Sequence, residues 1–86
     1  MKDGIAVVIS GVKGMWQGLR FFSGVDRLST IEAALRIPDI SDEHRSEIRK
    51  CFRSIIENTA TTLNGVYARW WVSPEMTITV YPAEIV

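Results

Sequence analysis

One arginine and three aromatic side chains recur near the C-terminal end of the sequence, at positions that strand pairing would gather on one surface. They are Tyr67, Arg69, Trp71 and Tyr81. Tyrosine, tryptophan and arginine dominate the affinity of many protein interfaces, and rings beside a cation can also stack unpaired bases. Lysines and arginines are not otherwise concentrated nearby, which favours a protein partner over nucleic acid. The alternative is that these residues support the fold through cross-strand pairs.

A second cationic group follows helical spacing. Arg45, Arg49 and Arg53 would line one flank of a helix, where they could hold phosphates or a partner's carboxylates. The competing interpretation is a solvated flank with ion pairs between Asp42 and Arg45 and between Arg53 and Glu57. The solvated flank is favoured, because rows of charge on helices usually face solvent.

Residues suited to catalysis or metal binding are scarce. His44 and Cys51 are the single histidine and the single cysteine, too few for the four ligands of a closed zinc site. No nucleophile or base can be assigned beside His44, and Cys51 is expected in the core. The Gly-Val-Lys-Gly segment at residues 11–14 resembles the backbone-clamping loop of KH domains, but the strand-like run before it favours a plain turn. We expect no catalytic residue, metal or cofactor.

The composition is that of one small globular domain. The chain has 86 residues, 47% of them hydrophobic and 23% charged, and we expect a single domain over residues 1–86. Ten basic and ten acidic side chains cancel, which disfavours a strongly basic nucleic-acid binder. One cysteine excludes an internal disulfide and suits a reducing compartment. The longest apolar run, residues 5–9, is too short to span a bilayer, so a cytoplasmic location without membrane contact is expected.

Two strands are predicted in the N-terminal part. Residues 4–10 form a β-branched apolar run without polar alternation, which is typical of a strand covered on both faces. Residues 15–22 are ambiguous, because helical spacing of apolar side chains competes with a glycine and a Phe-Phe pair. We favour a strand that pairs with the first through the glycine turn.

Two helices are predicted in the middle of the chain. Ser29 opens the first as a capping box with Glu32, and Pro38 ends it. Ser41 caps the second, with acidic residues in its first turn where the helix dipole favours them. Apolar side chains then recur at helical spacing as far as Leu63, before an Asn-Gly pair that predicts the helix end.

A β-hairpin is predicted at the C-terminal end, where residues 66–72 and 76–82 flank a Ser-Pro-Glu loop. Pairing Val72 with Met76 gives the further pairs Trp71–Thr77, Trp70–Ile78, Arg69–Thr79, Ala68–Val80 and Tyr67–Tyr81. One face of this hairpin is then uniformly apolar and consists of Ala68, Trp70, Val72, Met76, Ile78 and Val80. The other face carries the four aromatic and arginine residues with two threonines. Trp70 should therefore lie in the core and Trp71 outside it.

The element order ββααββ predicts the α+β class. The expected architecture is a two-layer sandwich of about four antiparallel strands with two helices on one face. Such a sandwich leaves the other face of the sheet open.

The expected function is that of a non-catalytic protein-binding module. In size, cysteine poverty and absence of motifs, the chain is similar to small inhibitors, antitoxin-like or anti-defence proteins of phages and mobile elements. That similarity of profile implies steric occlusion of a partner by the aromatic and arginine face, extended by the arginine row. A homodimer that buries the same face is an equally physical use of this surface. The alternatives are a weak single-stranded nucleic-acid binder and a small enzyme without a recognisable motif.

Overall fold

The computed structural model describes residues 2–11, 18–37, 40–74 and 76–86. Within these ranges the chain forms β1 (Lys2–Gly11), β2 (Gly18–Gly24), α1 (Arg27–Leu35), α2 (Asp42–Cys51), α3 (Arg53–Ile56), β3 (Ala68–Ser73) and β4 (Met76–Ile85). The strands make one antiparallel sheet in the spatial order β2-β1-β4-β3. The predicted α+β architecture with a four-stranded sheet is confirmed, with a short third helix added.

The strand β1 runs through the middle of the sheet between β2 and β4. Ile5, Val7 and Ile9 alternate into the core and are at most 1% exposed, whereas Val8 between them is only half-buried. Helices cover one face of β1, so the expectation of cover on both faces is wrong for the described part of the chain. β2 confirms a strand over residues 18–22, while residues 12–17 lie outside the described residues.

The helical layer fills the inner face of the sheet with apolar side chains. Ile31 of α1, Ile48 of α2 and Ile55 of α3 are each at most 1% exposed. Phe52, at the junction of α2 and α3, is the largest of the fully buried side chains. The junction between the two helices is therefore part of the core.

The first helix begins at Arg27 rather than after Ser29, and the predicted capping box is wrong. Asp26 is the N-cap: its side chain accepts a hydrogen bond from the Ser29 amide at 3.1 Å. An aspartate satisfies a free amide at a helix start as well as a serine does, so Glu32 is left to pair elsewhere. The helix ends at Leu35, and Pro38 lies outside the described residues.

The second helix begins as predicted but is much shorter. Ser41 is its N-cap, and the Ser41 hydroxyl accepts from the His44 amide at 3.3 Å. Helical geometry stops at Cys51 and returns only over α3, and the chain is irregular from there to β3. Asn58 takes a left-handed φ of 60°, and the β-branched threonines that follow are poor helix formers. Leu63, expected on the apolar side of the helix, is 75% exposed.

The Asn-Gly pair that predicted a helix end instead forms a tight turn. Asn64 and Gly65 have φ values of 54° and 82°. Leu63 and Val66 on either side exchange backbone hydrogen bonds of 2.9 and 3.2 Å. Two-residue hairpin turns require positive φ at both central positions, which Asn-Gly supplies. The same two residues thus fit either structure, and only the surrounding chain decides between them.

The predicted register of the C-terminal hairpin is confirmed over its central part. The pairs Ala68–Val80, Arg69–Thr79, Trp70–Ile78 and Trp71–Thr77 are all present. Near the loop, Ser73 rather than Val72 pairs with Met76, because the register shifts after Trp71. This irregularity accommodates one extra residue in β3. Glu75, the last predicted loop residue, lies outside the described residues.

The other end of the hairpin also departs from regular pairing. The Tyr67 amide donates to the Val80 carbonyl at 2.8 Å, although Val80 is already the partner of Ala68. Two residues of one strand thus oppose one residue of the other, as in a β-bulge. Because a bulge interrupts the alternation of side chains between the two faces of the sheet, the predicted Tyr67–Tyr81 pair is wrong.

Candidate functional site

The side of the sheet away from the helices is open, and its side chains form the candidate site. Cross-strand partners share a face, and one row, Phe21–Val8–Thr79–Arg69, crosses all four strands. We call this surface the outer sheet face. It consists of Leu19 and Phe21 on β2, Ala6, Val8 and Ser10 on β1, Thr77, Thr79 and Tyr81 on β4, and Arg69 and Trp71 on β3.

The outer sheet face has the shape of a trough. Its floor consists of the small side chains of the central strands, Ala6, Val8, Ser10, Thr77 and Thr79. Large side chains on the edge strands form the walls: Leu19 and Phe21 are 60% and 70% exposed on one side, and Trp71 is 59% exposed on the other. Thr77 and Thr79 are buried between these walls. The open cavity over the floor has a volume of about 340 Å³.

Charge on the outer sheet face is of one sign. Arg69 is exposed and forms no ion pair or hydrogen bond with any described residue. Lys2 pairs across with Ile85 and shares the outer side at the far end of the sheet. No described position on this side holds an aspartate or glutamate: Asp3 and Glu84 face each other on the opposite side of the β1–β4 ladder. The described part of this surface therefore combines apolar and uncharged polar side chains with positive charge only.

Tyr67 does not lie on the outer sheet face, contrary to the sequence prediction. The irregular pairing with Val80 turns Tyr67 inward, where it packs against the core. The Arg27 guanidinium lies 5.2 Å from the Tyr67 ring centroid and donates to the tyrosine hydroxyl at 3.4 Å. Arg27 also donates to the Ile55 carbonyl at 3.1 Å. The cation–π contact ties α1 to the residue before β3, and the hydrogen bond to Ile55 ties α1 to α3, so Tyr67 supports the fold.

Arg45, the first residue of the predicted arginine row, is bound into the fold. Its Nε donates to the Leu35 carbonyl at 2.5 Å and its Nη2 to the Ile37 carbonyl at 3.1 Å. Its Nη1 pairs with Asp42 at 2.6 Å, as the sequence predicts. The last carbonyls of a helix have no intrahelical partner. Arg45 supplies a donor to the Leu35 carbonyl at the end of α1 and another to the Ile37 carbonyl just beyond it. All of its visible contacts are structural.

Arg49 and Arg53 are also neutralised within the chain. Arg49 binds Glu32 of α1 through two parallel hydrogen bonds of 2.5 and 3.0 Å, a bidentate pair. The Arg49 guanidinium lowers the pKa of the Glu32 carboxyl, and Glu32 raises the pKa of Arg49. Arg53 pairs with Glu57 at 2.7 Å, as predicted, which raises the pKa of Arg53. Each arginine of the row thus has a carboxylate partner within the chain, as the solvated-flank interpretation expects.

His44 and Cys51 are both exposed on α2. The prediction of Cys51 as a core residue is wrong, because α2 ends there and Phe52 takes the buried position. The two residues lie roughly 10 Å apart along the helix axis, too far for a cysteine–histidine pair. Within the described ranges, no three His, Cys, Asp or Glu side chains could hold a metal ion.

The two large side chains on the β2 side of the outer sheet face were not among the predicted site residues. Leu19 and Phe21 form one wall of the trough, opposite Ser10 and Val8 of β1. Alternation with the inward-packed Phe22 is the signal that would have found them. This signal could not be used without the β1–β2 register, because the sequence between the two strands is compatible with several registers.

Known proteins give no guide to this chain. No protein-family model matches it, and neither a curated protein nor a solved structure matches it. In the part of the chain that the structure describes, no helix is both long and apolar enough to cross a membrane. The candidate functional surface is the outer sheet face of this two-layer α+β fold.

Proposed function

We propose that this chain is a non-catalytic protein-binding module that docks onto a partner protein through the outer sheet face. The observation that carries the proposal is the exposure of Leu19, Phe21 and Trp71 on one face of the sheet, where Leu19 and Trp71 line the open cavity. Exposed apolar patches on small domains mark interaction sites. Covering them stabilises a complex, since burial of apolar surface contributes roughly 25 cal/mol per Å².

The sequence of β1 supports the same conclusion. Open antiparallel sheets usually alternate apolar and polar residues, with the polar ones facing solvent. In β1 the outward positions Ala6 and Val8 are apolar, and the first polar outward residue beyond them is Ser10. Apolar residues at these positions are expected if a partner covers the face in the working complex.

Docking through this face would act by occlusion. A chain that covers its partner's surface blocks whatever else that surface binds, and no chemical step is needed. We therefore extend the proposal to a small inhibitor of the antitoxin-like or anti-defence type. Arg69, Trp71 and Tyr81 contribute to the contact, with Leu19 and Phe21 added.

Single-stranded nucleic acid is the second candidate ligand. Phe21, Trp71 and Tyr81 offer rings on which bases could stack, with Arg69 beside them. A nucleic-acid groove also needs cations along its length, and Lys2 and Arg69 are few for that purpose. The arginines of α2 and α3 cannot help, because they are paired in the other layer. The small-enzyme alternative has no comparable observation in its favour.

Affinity capture from a native lysate tests the proposal with three forms of the chain: wild type, Phe21→Ser/Trp71→Ser, and Leu28→Ser/Leu63→Ser as the matched control. Leu28 and Leu63 are 50% and 75% exposed but do not belong to the outer sheet face. We expect one protein to be retained by wild type and control and lost from the Phe21/Trp71 variant. Equal retention by all three, or equal loss from both variants, would contradict the assignment.

A salt titration separates the two ligand classes. Counterion release makes nucleic-acid binding fall steeply, by orders of magnitude, between about 50 and 200 mM salt. An apolar protein interface should respond weakly over the same range. Anisotropy of a labelled oligothymidine would show tight, salt-sensitive and Arg69-dependent binding only if nucleic acid is the ligand.

A further inference from the structure

Resting on the proposed function, we propose that the partner presents an amphipathic α-helix that lies in the trough of the outer sheet face. Its apolar side contacts Leu19, Phe21 and Trp71, and a carboxylate on its flank pairs with Arg69. The recognised chemistry is therefore a helix with apolar residues at spacings of three and four and an aspartate or glutamate beside them.

The dimensions of the trough favour a helix. The walls stand on β2 and β3, which are separated by three inter-strand spacings, or about 14 Å. A helix with its side chains is about 10 Å across and fits between Phe21 and Trp71. The small floor residues leave room for its apolar side. A helix there would complete the three-layer arrangement in which both sheet faces are covered.

The hairpin edge of the sheet is poorly suited to the alternative, an extended partner strand. β3 has a register shift between Trp71 and Ser73 and an irregular pair at Tyr67. β4 continues past Ala68, the first residue of β3 and the partner of Val80. In that part, the next residue of β4 whose backbone groups face the same side as those of Val80 is Pro82, and proline has no amide hydrogen to donate. Bulges and prolines protect an edge against strand addition. The wide face rather than this edge is left for a partner.

Charge argues against a second copy of the chain as the occupant. A two-fold dimer sets the same patch against itself, so Arg69 and Lys2 of each copy would enter one interface. No described outer-face position holds a carboxylate to oppose them. A partner helix with an aspartate or glutamate instead gives Arg69 a charge-assisted hydrogen bond.

Selection from a library of helices tests this inference while the partner itself is still unidentified. The probe is a rigid helical scaffold with one helix face randomised, selected on the wild-type chain after removal of binders to Phe21→Ser/Trp71→Ser. We expect selected helices to carry apolar residues at i, i+3, i+4 and i+7, with an acidic residue on one flank. Arg69→Glu should weaken their binding roughly tenfold, whereas the control Arg36→Glu, on the helical layer, should leave it unchanged.

A charge swap gives the sharpest readout. Replacing the selected acidic residue by arginine should weaken binding to wild type and restore binding to Arg69→Glu. Rescue of this kind requires direct pairing, because a general loss of folding in the variant could not be reversed by a change in the probe.

Several outcomes would overturn the inference. One is the recovery of no helix that depends on Phe21 and Trp71; another is selection of basic flanks or binding insensitive to Arg69→Glu. If a lysate partner needs Phe21 and Trp71 but no helix displaces it, the proposed function stands and the helical partner is wrong. A dimer in analytical ultracentrifugation that Phe21→Ser/Trp71→Ser dissociates would assign the face to a second copy.

Discussion

The two layers of this domain use arginine in opposite ways. In the helical layer Arg45, Arg49 and Arg53 all bind carboxylates or helix-end carbonyls of the same chain. On the outer sheet face Arg69 has no such partner among the described residues and stands near the exposed Trp71. The clustered arginines are a candidate site in the sequence, but in the folded chain each of them pairs with a carboxylate. The two layers therefore differ in whether the fold supplies a partner for the guanidinium group.

Substitution of two phenylalanines, one in each layer, should give the largest difference in the free energy of unfolding. Phe52 is 1% exposed in the core and Phe21 is 70% exposed on the outer sheet face. Phe52→Ala should destabilise the domain by about 3 to 5 kcal/mol through lost burial and the cavity left behind, whereas Phe21→Ala should destabilise it by less than about 1 kcal/mol. Urea unfolding followed by circular dichroism measures both. Losses of similar size would place Phe21 in a packed environment and remove one wall of the trough.

The neighbouring tryptophans repeat the contrast on a single strand. Trp70 packs against the core but is only half-buried, and Trp71 is 59% exposed. Trp70→Ala should therefore destabilise by about 2 to 4 kcal/mol, somewhat less than a full core truncation, and Trp71→Ala by less than about 1 kcal/mol. The same unfolding experiment tests this pair, and the opposite order would mean that the hairpin faces are reversed.

Two arginines, one in each layer, should differ by a smaller amount in their effect on stability. Arg45→Ala removes the donors that bind the Leu35 and Ile37 carbonyls, and we expect a loss of about 1 to 3 kcal/mol. Arg69→Ala should change stability by no more than about 0.5 kcal/mol while weakening any partner bound to the outer sheet face. Thermal unfolding of the two variants side by side is sufficient, and a large loss for Arg69→Ala would show that Arg69 supports the fold.

The Glu32–Arg49 pair should give the smallest effect, visible as a pH dependence. Arg49 lowers the pKa of Glu32 in the folded chain below the ordinary value of 4.5. The resulting stabilisation is complete above that value and is lost as the pH falls through the lowered pKa. Wild type should therefore lose more stability than Glu32→Gln below about pH 4.5, with Glu47→Gln as the control for removing a carboxylate. Parallel pH profiles for wild type and Glu32→Gln would show that the ion pair adds nothing to stability.

The fold class and the central hairpin register were predictable because the patterns of many residues independently favour the same structure. Shifting the register by one position would mix Trp70, Ile78 and Val80 with polar neighbours, so the apolar set alone selects the pairing. The start of the first helix was not predictable in the same way. Asp26 and Ser29 are both good caps within one turn of each other, and the choice depends on how α1 meets the sheet.

The candidate site was predictable only in part. Arg69, Trp71 and Tyr81 follow from the hairpin register, but Tyr67 does not, because nothing in its neighbourhood signals the irregular pairing with Val80. The wall formed by Leu19 and Phe21 depends on how β2 is aligned with β1. Whether each arginine has an ion-pair partner within the chain depends on contacts between residues distant in the sequence, such as Arg49 with Glu32.

Cys51, the single cysteine of the chain, gives experimental access to this surface. Its thiol is exposed on the helical layer, on the opposite side of the sheet from Phe21 and Trp71. A maleimide dye or a biotin attached there would leave the trough unobstructed. Immobilised by that thiol, every molecule would present its outer sheet face to solution in the same orientation, without any engineered residue.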